Sequence, residues 1–285
     1  MRLHIAGTRG SIAVTAPDRA VFGGDTTCLL ITGAGGEQVL VDCGSGLPAL
    51  APLLGPDPDL LVLLTHYHLD HLVGLPAFAP LYQAGTHLRI AGVDQPDGTA
   101  QDALRTIVGA PFWPVSLDQT PARLSFQNLP PASDADAPLT CGNLVVRWAP
   151  LPHPGGCTAF RLDEPATGAS LVVATDVEWD DAPDHLLAGF AALCRQPSPC
   201  ELLICDGQYD RDTIAARRGW GHSSWPRAVE LAHELGVGRL LLTHHDPEDD
   251  DATLARRERD LQAVAPHAAL ARQGQVLDLG RTSTA

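Results

Sequence analysis

The chain has 285 residues, of which 45% are hydrophobic, its formal net charge is −15, and every one of its 19 basic residues is an arginine. A chain this acidic is a poor candidate for docking long nucleic acid or an anionic membrane, because phosphate contacts need a surface rich in Lys or Arg. No stretch reaches the roughly 18 apolar residues of a membrane span, and seven cysteines without CxxC spacing favour reduced thiols in a cytoplasmic protein.

The first hundred residues predict strands, because short β-rich runs alternate with Gly, Pro and Asp. The predicted strands cover residues 2–7, 27–33, 37–44, 59–66 and 87–92. A stretch compatible with a helix follows at 98–109 and leads into "APFWPVSL".

The rest of the chain first continues with strands and then mixes strands with helices. The predicted strands are 144–151, 158–164, 170–176, 201–207 and 238–246, the predicted helices are 184–195, 225–236 and 252–265, and a last segment covers 268–279. The stretch "NLPPASDADAPLTCGN" between them is the most loop-like. This order indicates an α/β protein in which two β-sheets pack face to face with helices outside, as one domain over 1–285.

The heptapeptide "THYHLDH" contains three imidazoles and a carboxylate directly after the apolar run "LLVLL". In an extended segment, residues two apart point to the same side, so His66 and His68 can converge on one ion. If the chain turns into a helix at Leu69, then Asp70 and His71 can reach a neighbouring ion. The pattern therefore predicts a metal site.

Three later segments have the same form, an apolar run that ends in a residue able to bind a metal. They offer His153 in "WAPLPHPGG", Asp176 in "LVVATDVEW" and His244, with His245 beside it, in "RLLLTHHDP". With the heptapeptide they supply seven candidate ligands. Seven ligands suit two ions about 3.5–4 Å apart that share one bridging carboxylate.

These motifs, together with "VDCGSG" before them, resemble the metallo-β-lactamase fold superfamily of dinuclear hydrolases over nearly the whole chain. The resemblance implies a four-layer αβ/βα sandwich of two mixed sheets with outer helices. It also implies a first metal bound by His66, His68 and His153, a second bound by Asp70, His71 and His244, a bridging Asp176, and Asp42 orienting the histidine loop. Relatives place the last ligand directly after the strand's terminal Thr or Ser, which favours His244 over His245. Neutral His ligands with a carboxylate bridge suit Zn²⁺, and ligand type leaves Mn²⁺ and Fe²⁺ open.

Two further segments resemble one branch of that superfamily, the branch of ribonuclease Z and small cyclic phosphodiesterases. In the first, "GTRGSIAVTAPDRAVFGGDTTC", Asp25 stands where relatives usually have Asn. In the second, "GWGHSSWPRAVELAHELG", His222 matches a histidine that stabilises or protonates the leaving group, with Asp206 as its acidic partner. The implied catalytic residues are His222, Asp206 and Asp70.

The resemblance implies a phosphodiesterase that uses a metal-bound hydroxide on a small or cyclic phosphodiester. Ribonuclease Z needs a basic protruding arm for transfer RNA, and no such insert appears in the sequence. A carboxylester, lactone or thioester hydrolase and a non-catalytic sensing module are alternative functions. A homodimer is a possible oligomeric state. Phe112 and Trp113 either form an apolar lip at the site or pack a helix against the sandwich.

Overall fold

The computed structural model describes residues 1–133 and 138–280, and within them the chain forms two seven-stranded sheets. The strands in chain order are β1 (Arg2–Gly7), β2 (Cys28–Thr32), β3 (Gln38–Val41), β4 (Asp59–Leu64), β5 (His87–Val93), β6 (Arg123–Leu129), β7 (Leu139–Cys141), β8 (Leu144–Leu151), β9 (Cys157–Glu164), β10 (Ala169–Ala174), β11 (Leu202–Asp206), β12 (Arg239–Thr243), β13 (Ala268–Leu270) and β14 (Val276–Asp278).

Both sheets are mixed, as predicted. The first has the order β14-β1-β2-β3-β4-β5-β6, antiparallel from β14 to β3 and parallel from β3 to β6. The second has the order β13-β12-β11-β10-β9-β8-β7, parallel from β10 to β13 and antiparallel elsewhere. Each sheet therefore joins a parallel half to an antiparallel half.

The helices are α1 (Ala100–Ile107), α2 (Asp184–Arg195), α3 (Arg211–Ile214), α4 (Trp225–Leu235) and α5 (Asp251–Val264). Local sequence explains their ends. A capping box between Thr99 and Asp102 begins α1, since each side chain binds a backbone N–H that the first turn leaves free. Pro226 lies in the first turn of α4, and Gly236 ends that helix in the left-handed conformation with a φ of 70°.

Three apolar clusters show how these layers pack. The central cluster joins the two sheets, with Leu3 and Val39 from the first and Phe160 and Leu171 from the second. A second cluster lies between the first sheet and α1, and a third lies between the second sheet and α2, α4 and α5. The predicted four-layer αβ/βα sandwich is confirmed.

The stretch 128–143, predicted as a loop, is only partly one. It includes the end of β6 and all of β7, and residues 134–137 within it lie outside the described residues. Among the helices that the structure describes, none is long and apolar enough to cross a bilayer. Six strands end at candidate site residues. A candidate residue follows within two positions of the end of β3, β4, β8, β10 and β12, and β11 ends in one, Asp206.

Candidate metal centre

Asp42 fixes the loop that carries the first candidate ligands. It follows β3 with a left-handed φ of 61° and is fully buried. Its carboxylate accepts hydrogen bonds from the Thr65 amide at 2.8 Å and the Thr65 hydroxyl at 2.8 Å, and lies 2.7 Å from Nδ1 of His71. Because Nδ1 of His71 is engaged there, its Nε2 is turned toward the other candidate ligands.

The first group of candidate ligands is His66, His68, His153 and Asp176, whose donor atoms lie within 4.8 Å of one another. Nδ1 of His68 is 3.0 Å from Nε2 of His66 and 3.2 Å from Nε2 of His153. The Asp176 carboxylate lies 3.6 Å from Nε2 of His66. The strand ends of both sheets meet here, since His66 follows β4 and His153 follows β8.

The second group is Asp70, His71, Asp176 and His244. Asp70 and His71 lie in a short 3₁₀ helix, Leu69–His71, so the chain turns at Leu69 as the sequence predicts. Nε2 of His71 is 3.1 Å from Asp176 and 3.3 Å from Asp70, and Nε2 of His244 is 3.2 Å and 3.4 Å from the same two carboxylates. Asp176 belongs to both groups, which is the position that a bridging ligand requires.

The residues present fit a pair of divalent ions. Three buried atoms, Nε2 of His71, Oδ1 of Asp176 and Nε2 of His244, make no hydrogen bond, and leaving such atoms unpaired is costly unless another group binds them. A tetrahedral ion with bonds of about 2.0–2.1 Å separates its ligand atoms by roughly 3.4 Å, close to the spacings observed. The structure brings all seven predicted ligands together, and their individual roles stay predictions.

Burial and charge shift the pKa values of these groups. Burial lowers the pKa of His66 well below its ordinary value and lowers the pKa of His153 to about 4, so both are neutral and able to bind a metal. Burial also disfavours protonated His71, but the neighbouring carboxylates, Asp176 foremost, raise its pKa well above the usual range. Burial opposes ionisation of Asp176, yet the imidazoles of His244 and His71 keep its pKa well below normal.

Of the two adjacent histidines, His244 and not His245 lies in the cluster. His244 has a left-handed φ of 60°, and its Nδ1 is 3.1 Å from Oε1 of Gln208. A Cβ at Gly10 would lie 2.3 Å from the His244 ring, so the close approach there requires glycine. His245 points away, and its Nε2–H donates to the carbonyl of Ala271 at 2.8 Å.

His222 and Asp206 form a pair beside the cluster. Nδ1 of His222 is 2.8 Å from Oδ2 of Asp206, and its ring lies 4.7 Å from the His244 ring and 5.6 Å from the His153 ring between centroids. Burial lowers the pKa of His222, but the negative charge of Asp206 and their hydrogen bond raise it to about 9. His222 is therefore a charged donor next to the candidate metal ligands.

The sequence did not single out several residues that shape this site. Gln208 contacts His244. The amide of Ser11, whose φ is 60°, donates to Oδ2 of Asp70 at 2.8 Å. Glu178 binds backbone amides near His222. Gln208 and Glu178 carried a local signal, since each lies two residues after a predicted site residue at the end of a strand, Asp206 and Asp176.

Two residues left open by the sequence have structural partners. Asp25 accepts from the Ser45 hydroxyl at 2.7 Å and from the Gln273 amide at 2.6 Å, so it connects the N-terminal loop to the C-terminal segment. Trp113 packs against the apolar cluster outside the first sheet and donates from Nε1 to the Tyr82 hydroxyl. These contacts favour packing over a role at the site for Trp113, while the Phe112 side chain is exposed.

Comparisons with known proteins agree with this geometry. A family profile described as a beta-lactamase superfamily domain matches residues 37–245. The chain is 32% identical over 253 residues to the ribonuclease Z of Mycobacterium avium (strain 104), covering 81% of this chain and 82% of that protein.

Solved structures show the same fold. The crystal structure of the metallo-beta-lactamase fold protein YhfI from Bacillus subtilis aligns with a TM-score of 0.69 at 23% identity, covering 97% of this chain and 99% of that one. The short form of human tRNase Z aligns with a TM-score of 0.67 at 19% identity, covering 99% and 100%.

Proposed function

The chain belongs to the beta-lactamase superfamily and has the metallo-β-lactamase fold of metal-dependent hydrolases, and on this premise we propose that it hydrolyses a small or cyclic phosphodiester. The observation that carries the proposal is the buried pair of His222 and Asp206 beside two groups of His and Asp ligands that share Asp176. An acid next to a metal cluster is what cleavage of a phosphodiester with a poor leaving group needs.

The candidate ligands suit two Zn²⁺ ions, because neutral imidazoles and carboxylates are its usual nitrogen and oxygen ligands. His66, His68 and His153 would bind one ion, Asp70, His71 and His244 the other, and Asp176 both. When bound, two such ions activate water and stabilise the charge that develops on the phosphoryl oxygens. Asp42 keeps Nε2 of His71 turned toward the cluster by accepting its Nδ1–H.

His222 supplies the proton. Its Nδ1–H is held by Asp206 at 2.8 Å, which leaves Nε2–H of the protonated ring free to donate. Since the His222 ring lies against the rings of His153 and His244, a substrate bound at the cluster is within its reach. As the ester bond breaks, Nε2–H donates its proton to the leaving alkoxide, and Asp206 stabilises the charged imidazolium until then.

Charge supports a small substrate over long RNA. Although the relative that is 32% identical is named a ribonuclease, this chain has a net charge of −15 and no lysine. Neutralising many phosphates of a long RNA needs a basic surface, whereas one phosphodiester group can be neutralised at a metal cluster. The seven cysteines are free, buried thiols, which supports a reducing compartment, and we propose the cytoplasm.

A substrate panel tests the proposal. Purified protein loaded with Zn²⁺ or Mn²⁺ is assayed on cyclic nucleotides, bis-p-nitrophenyl phosphate, lactones and thioesters. We expect kcat/KM to be highest on a phosphodiester. A higher kcat/KM on a lactone or thioester than on every diester would show that the protein is a carboxylester-type hydrolase and not a phosphodiesterase.

A further inference from the structure

Glu178 lies two residues after the candidate bridging ligand and binds the loop that leads into His222. Its carboxylate accepts the Gly219 amide at 2.8 Å and 3.0 Å through its two oxygens, and the Gly221 amide at 3.0 Å. Gly219 and Gly221 have left-handed φ angles of 80° and 87°. The amides of Gly219 and Gly221, on either side of Trp220, converge on the Glu178 carboxylate, while the Trp220 amide donates to the carbonyl of Arg217.

The same loop orients a candidate metal ligand. The carbonyl of Gly221 lies 2.8 Å from Nδ1 of His153, and because a carbonyl only accepts, this bond places the proton of the neutral ring on Nδ1. Nε2 of His153 is then free of a proton and turned toward His68. The contact is tight, since a Cβ at Gly221 would lie 2.2 Å from Nδ1 of His153.

A third hydrogen bond closes a ring. The amide of Glu178 donates to the carbonyl of Pro152 at 2.9 Å, directly before His153. The path therefore runs from His153 to Gly221, from Gly221 to the Glu178 carboxylate, and from the Glu178 amide back to Pro152. It connects the end of β8, the segment after β10 and the loop before α4, which all contribute to the site.

We infer that Glu178 is a positioning residue, which fixes the tautomer and orientation of His153 for the metal cluster and the placement of the adjacent His222. It binds neither substrate nor metal in this role and acts through the Gly219–Gly221 loop. The inference rests on the proposed metal centre and is independent of the proposed phosphodiester substrate.

Glu178→Gln tests it, because the amide keeps the shape of the side chain and loses the charge and one acceptor oxygen. The matched control is Glu201→Gln. Glu201 also accepts the amide of a left-handed glycine, Gly280, at 2.8 Å, but it lies before β11 at the strand end opposite Asp206. Both changes remove the same kind of bond, so a difference between them reports on the site.

The first measurement is the long-range ¹H–¹⁵N spectrum of the histidine rings in metal-free protein. We expect His153 as the single Nδ1–H tautomer in the wild type and in Glu201→Gln, and a mixture of tautomers in Glu178→Gln. An unchanged His153 spectrum in Glu178→Gln would overturn the inference. This readout needs neither metal nor substrate, so its failure is separate from a failure of the proposed function.

The second measurement is competition for Zn²⁺ against a chelator. We expect Glu178→Gln to weaken the binding of one ion by roughly tenfold, the lower end of the range for residues that orient metal ligands, while Glu201→Gln binds as the wild type does. Glu178→Asp, which keeps the charge on a shorter side chain, should change affinity in the same direction. Equal losses in the Glu178 and Glu201 variants would mean a general loss of stability and would refute a positioning role.

Discussion

Replacing His222 by alanine tests the proposed acid directly. Positioned general acids contribute roughly 10²–10⁴ in rate, or about 2.7–5.5 kcal/mol of barrier at 1.36 kcal/mol per tenfold. We expect kcat on a cyclic nucleotide to fall by this factor. The fold should persist, because the Asp206 carboxylate still accepts the amides of Gln208 at 3.0 Å and Ser223 at 3.3 Å.

Asp206→Asn should lower kcat less. The amide can keep an oxygen toward the backbone donors of Gln208 and Ser223, so the change falls mainly on the bond between Oδ2 and Nδ1 of His222. A hydrogen bond to a charged group contributes about 1.5–3 kcal/mol, which corresponds to a loss of roughly 10–100-fold. The geometry of the pair therefore predicts a larger loss of kcat in His222→Ala than in Asp206→Asn.

The assay compares kcat on the cyclic nucleotide with kcat on bis-p-nitrophenyl phosphate, whose leaving group needs little protonation and should feel the change least. Metal content is measured for each variant. His233→Ala, an exposed histidine of α4, is the control and should match the wild type. Full activity of His222→Ala on the unactivated diester, or loss of one metal from it, would show that the assigned role is wrong.

Three further outcomes follow from the site. Elemental analysis of protein purified without chelator should approach two metals per chain, and a single ion that added Zn²⁺ or Mn²⁺ cannot supplement would rule out the dinuclear site. We expect no efficient, salt-sensitive processing of precursor transfer RNA at its 3′ end, because the net negative charge of the chain disfavours the binding of long RNA. Gly10→Ala should lower metal content and activity, since its Cβ would lie 2.3 Å from the His244 ring, whereas Gly55→Ala meets nothing within 4 Å and should leave both unchanged.

Much of the candidate site could be predicted because its residues follow apolar strands. His153, Asp176 and His244 are far apart in the chain, but each comes within two residues of the end of a largely buried strand. These strands, β8, β10 and β12, run in the same direction within one sheet, so their C-terminal ends lie at one edge. The heptapeptide, residues 65–71, begins directly after β4 and contains the 3₁₀ helix Leu69–His71. Such signals are local, so a single sequence contains them.

What could not be predicted depends on distant partners. Strand β6 is largely exposed and polar, and it forms because β5 pairs with it over its whole length. Its formation therefore depends on tertiary context and not on the intrinsic strand propensity of its residues. Glu178 was missed for a similar reason. Its glycine partner lies 41 residues away, and its place two residues after Asp176 does not show which backbone amides it binds.

Three residues with a side chain, Ser11, Asp42 and His244, have φ angles near +60°, and all three contact the candidate ligands or belong to them. The left-handed conformation costs an L-residue about 1–2 kcal/mol, so together they remove an amount comparable to a good part of the net stability of a domain. Glycine at Asp42 or His244 would relieve the backbone but delete a carboxylate or an imidazole from the site. A search for thermostable variants of this protein is therefore expected to recover, at this edge, variants that are more stable but less active. A selection that scores activity as well as melting temperature should avoid them.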